Sequence, residues 1–233
     1  MAMWLSFVAR FKRNHRIILF DFPNQGNNAK ILSGSSQVSL DEQVEILAAM
    51  MDKVKLSREA TLCAASWGGV IAAAFASKYP NRVKLLVLAS LGTKLSKKMA
   101  ETIKKGLSLH IGNRDQMAHT IINSFGENLP ARMKSVIVKQ FRAMKEENLQ
   151  AFFDHGAFVI GSKQLTEVVD LSKIKEKTIL LNGEQDAIID LDDVGFLATQ
   201  IPNCELKIIK GVGHFLHMEN ESVLDVYAAI LPQ

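Results

Sequence analysis

Apolar and polar positions follow two different periods along this chain. Short apolar runs, rich in branched and aromatic residues, predict strands at residues 16–22, 60–64, 83–90, 177–183 and 204–211. Between them apolar residues recur with helical spacing, and Ser39 followed by Asp41 and Glu42 marks the start of one such helix. Strands that alternate with helices are typical of an α/β domain, so we expect a mostly parallel sheet flanked by helices.

The alternation is interrupted in the middle of the chain. Residues 93–160 carry no strand signal, and breaks between their helical stretches are predicted at Gly112, Gly126, Pro130 and Gly156. We interpret this block as a helical lid inserted into the α/β core. The predicted domains are the first part of the core at residues 1–92, the lid at residues 93–160 and the second part of the core at residues 161–233.

A serine stands at the predicted corner between a strand and a helix. The segment Ala64-Ala65-Ser66-Trp67-Gly68 has the small-x-Ser-x-small pattern of a nucleophile elbow. In such an elbow the serine backbone is strained and the helix approaches the strand closely, so bulk at Ala64 or Gly68 is expected to clash. The ordinary alternative is that Ser66 is a plain turn residue.

Two further residues of the required types follow predicted strands. Asp186 comes just after the strand at residues 177–183, and His214 lies in a glycine-rich loop after the strand at residues 204–211. The order Ser, Asp, His along the chain is that of α/β-hydrolases. A serine hydroxyl needs an adjacent imidazole base and a carboxylate that orients this base. We therefore predict that Ser66, Asp186 and His214 form a catalytic triad.

Each of these assignments has a structural alternative. Asp186 can be interpreted as a solvated turn carboxylate, because Glu184, Asp190, Asp192 and Asp193 lie close to it in sequence. His214 can be interpreted as a structural loop histidine. His217 competes for the role of base, but we expect it to pack at the start of the final helix. The histidines of the lid are interpreted as ordinary polar residues: His110, His119 and His155.

Composition and charge indicate a globular protein with one buried core. The chain has 233 residues, 48% apolar and 22% charged, which is enough for one buried core with an insertion. Cys63 and Cys204 lie in apolar stretches without metal or redox spacing, which predicts a reduced, cytoplasmic setting and a core position for Cys63. No apolar run approaches the roughly 20 residues of a membrane span. The net charge of +4 comes without a basic-aromatic pattern, so no nucleic-acid partner is expected.

Several stretches resemble one known family. IILFDFPNQGNN, DEQVEILAAMMDKV, AASWGG, LNGEQDAI and IPNCELKIIKGVGHFLHMEN are similar to the RhlA-like (hydroxyalkanoyloxy-alkanoate synthase) and PhaG-like 3-hydroxyacyl transferases of the α/β-hydrolase fold. The resemblance implies Ser66 as nucleophile, Asp186 as orienting acid and His214 as base. It implies that Ser66 takes a 3-hydroxyacyl group from an acyl carrier protein or coenzyme A thioester. The 3-hydroxyl of a second molecule then attacks this ester, giving the dimer that serves as a rhamnolipid precursor. No cofactor or metal is expected.

The lid of such a synthase has to hold an acyl chain and exclude water. Its apolar side chains suit an acyl pocket, and they suit equally a lid that packs on a core: Met99, Met117, Met133, Met144, Phe152 and Phe153. The segment KLSKKMAETIKKG is also strongly basic. We expect its lysines to steer an acidic acyl carrier protein, the alternative being a solvated helix face: Lys94, Lys97, Lys98, Lys104 and Lys105.

The chain begins later than this fold leads us to expect. Strands normally precede the one at residues 16–22, and the N-terminal strands are therefore expected to be missing. In this fold the third strand lies between the fourth and the fifth, so residues 16–22 would have no hydrogen-bonded route to the elbow strand.

The late start also affects the expected oxyanion hole. One donor is expected to be the backbone N–H of Trp67, whereas the second normally comes from the loop after the third strand. Three functions stay open, and the resemblance, rather than spacing or composition, favours the first of them. They are a 3-hydroxyacyl transferase, an esterase or thioesterase with the same triad, and a catalytically impaired, truncated homologue.

Overall fold

A computed structural model describes residues 2–23, 25–28, 38–56, 60–109 and 113–232. Its centre is a four-stranded sheet in which all strands are parallel, and their order in the sheet follows their order in the chain. The strands are β1 (Ala60–Ala65), β2 (Val83–Ala89), β3 (Lys177–Gly183) and β4 (Cys204–Ile209). Their carboxyl ends therefore meet at one edge, where an open parallel sheet gathers its functional groups.

Ten α-helices accompany the sheet in the described residues. They are α1 (Leu5–Phe11), α2 (Leu40–Lys53), α3 (Trp67–Lys78), α4 (Lys97–Leu107), α5 (Arg114–Phe125), α6 (Ala131–Ala143), α7 (Glu146–Gly161), α8 (Leu165–Val168), α9 (Leu191–Gln200) and α10 (Val223–Ile230). Within the described part of the chain, none of them combines the length and the apolar character required to cross a membrane.

The sheet is covered by helices on both faces. Alternate residues of a strand point to opposite faces, and Leu86 and Leu88 of β2 pack in the cluster formed with α2, α3 and α9. The intervening Val87 packs in the other cluster, together with Phe7 of α1 and Tyr227 of α10. This three-layer arrangement is the α/β architecture that the alternating pattern predicts.

Helix α2 begins as its sequence predicts. The Ser39 side chain accepts a hydrogen bond from the Glu42 backbone N–H at 3.3 Å, and the Glu42 carboxylate accepts one from the Ser39 N–H at 2.8 Å. The two residues form a capping box, which satisfies two backbone donors at the start of the helix.

The prediction of a strand at residues 16–22 is wrong. This segment forms no strand, and β1 pairs only with β2 among the described residues. Because no described strand lies between the segment and β1, its backbone has no ladder to join. Its apolar side chains are still partly buried, since Phe20 and Phe22 pack against the cluster of α2 and α3. The apolar pattern therefore predicts correctly that these side chains are partly buried, but predicts incorrectly that their backbone pairs in the sheet.

Helices α4 to α7 occupy the predicted lid, and no strand lies in its described residues. Gly126 ends α5 and Pro130 precedes α6, as predicted, while Gly112 lies outside the described residues. The break predicted at Gly156 is wrong, because α7 continues through it. A Cβ at Gly156 would lie 3.2 Å from Cγ2 of Ile103 in α4, so this glycine allows two lid helices to pack closely. The domain boundaries at residues 92 and 160 stay predictions.

Candidate active site

Ser66 occupies a strained corner between β1 and α3. Its φ of 51° and ψ of −127° are unusual for a residue with a side chain, and such a conformation costs on the order of 1–3 kcal/mol. The Ser66 N–H donates to the Ala89 carbonyl at 2.9 Å, and the Ser66 carbonyl accepts from the Gly69 N–H at 2.8 Å. The sheet and the helix thus hold the backbone conformation that a nucleophile elbow requires.

The tightest approach behind the elbow lies one residue later than expected. A Cβ at Gly68 would be 3.9 Å from Cβ of Ala64, an ordinary contact, so a methyl group fits at Gly68 and the expected clash of a bulkier side chain stays a prediction. A Cβ at Gly69 would lie 3.0 Å from Cδ2 of Leu91. Gly69, rather than Gly68, is therefore the residue that lets α3 pack closely on its surroundings.

Trp67 connects the elbow with the lid. As the first residue of α3, its backbone N–H has no acceptor within the helix, as an oxyanion donor requires. Its indole Nε1 donates to Gln43 Oε1 at 3.0 Å, and its ring meets the Phe158 ring of α7 edge-on at 5.0 Å. Helix α7 consequently lies against the residue that follows Ser66. The role of Trp67 in an oxyanion hole stays a prediction.

Asp186 and His214 are in direct contact. Asp186 Oδ2 lies 2.9 Å from His214 Nδ1, and the side chains are 0% and 8% exposed. The other carboxylate oxygen accepts from the backbone N–H groups of Ile188 and Ile189, at 3.0 and 3.1 Å. An ionised carboxylate only accepts hydrogen bonds, so Nδ1 carries the proton and Nε2 is left as a base.

Two loops bring this pair together after β3 and β4. The Glu184 N–H donates to the Ile209 carbonyl and the Gln185 N–H to the Val212 carbonyl, both at 2.9 Å. At Gly183 a Cβ would lie 2.3 Å from the Val212 carbonyl oxygen, so only glycine permits the loops to approach in this way. The contact between Asp186 and His214 therefore depends on the absence of a side chain at Gly183.

Ser66 and His214 both follow parallel strands at the same edge of the sheet. Among the described residues no hydrogen bond joins the Ser66 hydroxyl to the His214 ring. Hydrogen bonds between catalytic groups are often long without substrate and tighten when it binds. The structure thus brings together two of the three predicted residues, and the nucleophilic role of Ser66 stays a prediction.

The other candidate histidines that the structure describes do not join the pair of Asp186 and His214. His217 is buried beside Trp4, its Nε2 lies 3.0 Å from the Met3 carbonyl oxygen, and burial lowers its pKa. It therefore packs against the N-terminal segment. Burial also lowers the pKa of His155, which lies 6.1 Å from the Trp67 ring. His119 is exposed on the lid, and His110 lies outside the described residues.

A cleft of about 290 Å³ gives access to His214. The lid contributes Ser124, Phe125 and Glu127, and the core contributes Gln185 and Glu219 among others. The Phe125 ring centre is 5.9 Å from that of His214. Both polar and aromatic side chains therefore line the cleft that borders His214.

The thiols of Cys63 and Cys204 are not activated. Burial raises the pKa of Cys63 to about 12 and that of Cys204 to about 11, so both stay protonated thiols at neutral pH. Cys63 is partly buried against the core, as predicted. In the described ranges no group of three or more histidine, cysteine or acidic side chains is arranged to hold a metal ion.

Most of the apolar lid residues named above pack against other residues of the lid. Met117 and Phe153 are buried in a cluster that also contains Phe141, and Met144 packs against it. Phe152 is 40% exposed, and Met99 and Met133 are partly buried. These contacts favour the interpretation that the apolar side chains pack the lid helices together over the interpretation that they line an acyl pocket. The predicted docking lysines are all exposed, and Lys97 lies 4.0 Å from Glu101: Lys94, Lys97, Lys98, Lys104 and Lys105.

Sequence reasoning missed two residues that contact the backbone around His214. The Ser90 hydroxyl donates to the His214 carbonyl at 2.7 Å. The Glu219 carboxylate accepts from the N–H groups of Gly213 and Phe215. Ser90 is the last residue of a predicted strand and Glu219 lies five residues after His214, but neither position carries a recognisable pattern by itself.

Two curated proteins are similar to this chain over most of its length. The human monoacylglycerol lipase ABHD6 is 26% identical over 235 residues, covering 93% of this chain and 67% of the lipase. The (R)-3-hydroxydecanoyl-ACP:CoA transacylase of Pseudomonas putida is 20% identical over 229 residues, covering 97% of this chain and 77% of the transacylase.

A solved structure and a family profile are also similar to this chain. The structure of MGS-M2, an alpha/beta hydrolase from a Medee basin deep-sea metagenome library, matches with a TM-score of 0.81 and 20% identity over 100% of this chain and 86% of that protein. The profile of the alpha/beta hydrolase fold family matches residues 1–221. This match covers most of the chain, and the chain belongs to the alpha/beta hydrolase fold family.

Proposed function

We propose that the chain is a serine acyltransferase that uses 3-hydroxyacyl thioesters. The observation that carries the proposal is the buried Asp186–His214 pair, 2.9 Å apart, at the sheet edge where Ser66 sits on its strained corner. A base held in one tautomer beside a nucleophile elbow suits the chemistry of an acyl-enzyme.

The reaction then runs in two steps. His214 Nε2 takes the proton of the Ser66 hydroxyl while Oγ attacks the thioester carbonyl, and the Trp67 N–H stabilises the oxyanion. The tetrahedral intermediate collapses, the C–S bond breaks, and the leaving thiolate takes the proton from His214. In the second step the 3-hydroxyl of another 3-hydroxyacyl molecule gives its proton to His214 and attacks the Ser66 ester carbonyl. The bond between the acyl carbon and Ser66 Oγ then breaks, and Oγ takes the proton from His214, which regenerates Ser66 and leaves an ester-linked dimer.

Two observations support a 3-hydroxyacyl thioester as donor. The stretches around Ser66, Asp186 and His214 resemble the 3-hydroxyacyl transferases. The Pseudomonas putida relative, similar over 97% of this chain, is a transacylase whose name specifies a 3-hydroxydecanoyl group, ACP and CoA. For a donor bound to an acyl carrier protein, we propose docking on the exposed lysines of α4 and the segment before it, which include Lys94, Lys98 and Lys105.

Hydrolysis by the same residues is the second candidate. The relative ABHD6 is a monoacylglycerol lipase, and a cleft with polar lining residues borders His214. In this case water replaces the 3-hydroxyl in the second step, and a free acid is released. The two candidates share the acyl-enzyme and differ only in the acceptor.

Intact mass spectrometry with product analysis separates these functions. The protein is incubated with 3-hydroxyacyl-coenzyme A, and in parallel with the same acyl group on an acyl carrier protein. An acyl-sized mass gain that is lost in Ser66→Ala, with an ester dimer among the products, supports the transferase. The same adduct with only free acid indicates a hydrolase. If neither donor gives an adduct and a fluorophosphonate does not label Ser66, serine-based acyl chemistry is rejected.

A further inference from the structure

We propose that Glu219 is a positioning residue for His214, one that sets the place of the imidazole between Asp186 and Ser66. The role of His214 as a base rests on the function proposed above, whereas the positioning rests on contacts that the structure contains.

The carboxylate of Glu219 holds the backbone on both sides of His214. Oε2 accepts a hydrogen bond from the Gly213 N–H at 2.5 Å, and Oε1 accepts one from the Phe215 N–H at 3.0 Å. One side chain therefore fixes the residue before and the residue after the histidine. Hydrogen bonds to an ionised acceptor are about twice as strong as neutral ones.

Ser90 holds the same histidine from the sheet side. Its hydroxyl donates to the His214 carbonyl at 2.7 Å, and its own N–H donates to the Leu181 carbonyl at 2.8 Å. Ser90 is 1% exposed and has a φ of 50°, a conformation that is uncommon for a residue with a side chain. The histidine backbone is thus bound to the sheet through Ser90 and to its own loop through Glu219.

The loop needs this support because its sequence provides little rigidity. Gly211, with a φ of 71°, and Gly213 precede the histidine closely, and glycine has the largest conformational freedom of any residue. The bond between Asp186 and the ring fixes the ring's orientation once the backbone is in place. A displacement of about 1 Å at a reacting group can reduce a rate about a hundredfold. Loss of the Glu219 contacts is therefore expected to act on the placement of His214 Nε2.

The test compares Glu219→Gln with Glu221→Gln. The amide of Glu219→Gln keeps one acceptor but turns a donor towards the second backbone N–H, so one of the two bonds is lost. Glu221 is exposed and lies two residues further along, which makes it a matched control. Three quantities are measured in each variant: the rate of fluorophosphonate labelling at Ser66, the Tm, and the downfield proton NMR signal of His214 Nδ1–H, assigned by its absence in His214→Asn.

Glu219→Gln is expected to slow labelling at least tenfold and to shift or broaden the His214 signal, with little change in Tm, while Glu221→Gln matches the wild type. An unchanged signal and labelling rate in Glu219→Gln overturn the inference. If the wild type is not labelled at all, the proposed function fails, and the NMR signal alone still decides the positioning role. If Glu219→Gln does not fold, Glu219→Asp takes its place, because its chain is one methylene too short to reach both amides; wild-type behaviour there equally overturns the inference.

Discussion

Asp193 of α9 binds Thr93 at the point where the chain leaves the sheet for the lid. The buried carboxylate accepts hydrogen bonds from the Thr93 N–H at 2.7 Å, from the Lys94 N–H at 3.3 Å and from the Thr93 hydroxyl. The Thr93 carbonyl in turn accepts from the Leu165 N–H at 2.7 Å, where the chain returns after α7. Both ends of the lid segment are therefore fastened at one residue.

Removal of this carboxylate is expected to destabilise the protein. Asp193→Ala leaves the buried donors of Thr93 without their acceptor, which costs about 2–4 kcal/mol of unfolding free energy. Asp192→Ala changes an exposed neighbour on the same helix turn and is expected to cost less than about 0.5 kcal/mol. Urea unfolding of the two variants checks this, and equal midpoints would contradict the role of Asp193.

Ser66→Gly is expected to gain stability and lose reactivity together. Glycine adopts a φ of 51° without strain, so this variant should be more stable than Ser66→Ala by about 1 kcal/mol. Neither variant should react with a fluorophosphonate if Ser66 is the nucleophile. Thermal unfolding and labelling of the pair provide the measurement. Equal stability of the two variants would show that the corner is not strained.

Two glycines should respond oppositely to a methyl group. In Gly183→Ala the new Cβ would meet the carbonyl oxygens of Val212 and Gly213, each at 2.3 Å, so the loops that carry Asp186 and His214 must separate. We expect either a misfolded protein or one that has lost the downfield His214 signal. In Gly195→Ala, within α9, nothing lies within 4 Å, and stability should rise by about 0.5–1 kcal/mol. Thermal unfolding and proton NMR of both variants test the contrast.

Stability is expected to fall as the pH decreases from about 7.5 to 5.5. Burial lowers the pKa of His155 and of His217, so the unfolded chain binds protons more readily than the folded one. Below the ordinary histidine pKa of about 6.5, protonation therefore favours unfolding, until the pH also drops below the lowered pKa of the folded state. His155→Phe should flatten this slope, because the ring already packs near Trp67 and Phe158.

The control for this experiment is His119→Gln, since His119 is exposed on the lid. Denaturation curves at several pH values measure the slope for each variant. The same slope in His155→Phe and wild type would show that His155 contributes nothing to the acid sensitivity.

Charge reversal on α4 tests the proposed docking of a carrier protein. Lys98→Glu together with Lys105→Glu should raise the KM for a carrier-linked donor about tenfold, and leave the KM for the coenzyme A donor nearly unchanged. Lys53→Glu, at the exposed end of α2, is the matched control. Steady-state kinetics with both donors decide, and an equal effect of all three substitutions would reject a specific docking surface.

Local patterns predicted those parts of the fold that local interactions determine. Strands β1 to β4 and the start of α2 follow from apolar runs and from the capping residues Ser39 and Glu42. The contact between Asp186 and His214 was predictable because parallel strands end at one edge, so residues just after them meet.

Features that depend on distant parts of the chain were not predictable from one sequence. The apolar run at residues 16–22 has the composition of a strand, but a strand also requires a neighbour with free backbone groups. Gly156 lies within α7, at a point where Ile103 of another helix approaches so closely that a Cβ would lie 3.2 Å from its Cγ2. Glu219 and Ser90 contact the backbone around His214 only in the folded chain, where two loops and the end of a strand lie together.

The raised pKa values of Cys63 and Cys204 make the chain convenient for observing the lid. Burial keeps both thiols protonated at neutral pH, so we expect them to react slowly with maleimides, which require thiolates. A cysteine introduced on an exposed surface would therefore be modified first. Fluorophores or spin labels placed on α7 and on the core would then report their separation during turnover, with both native cysteines left in place.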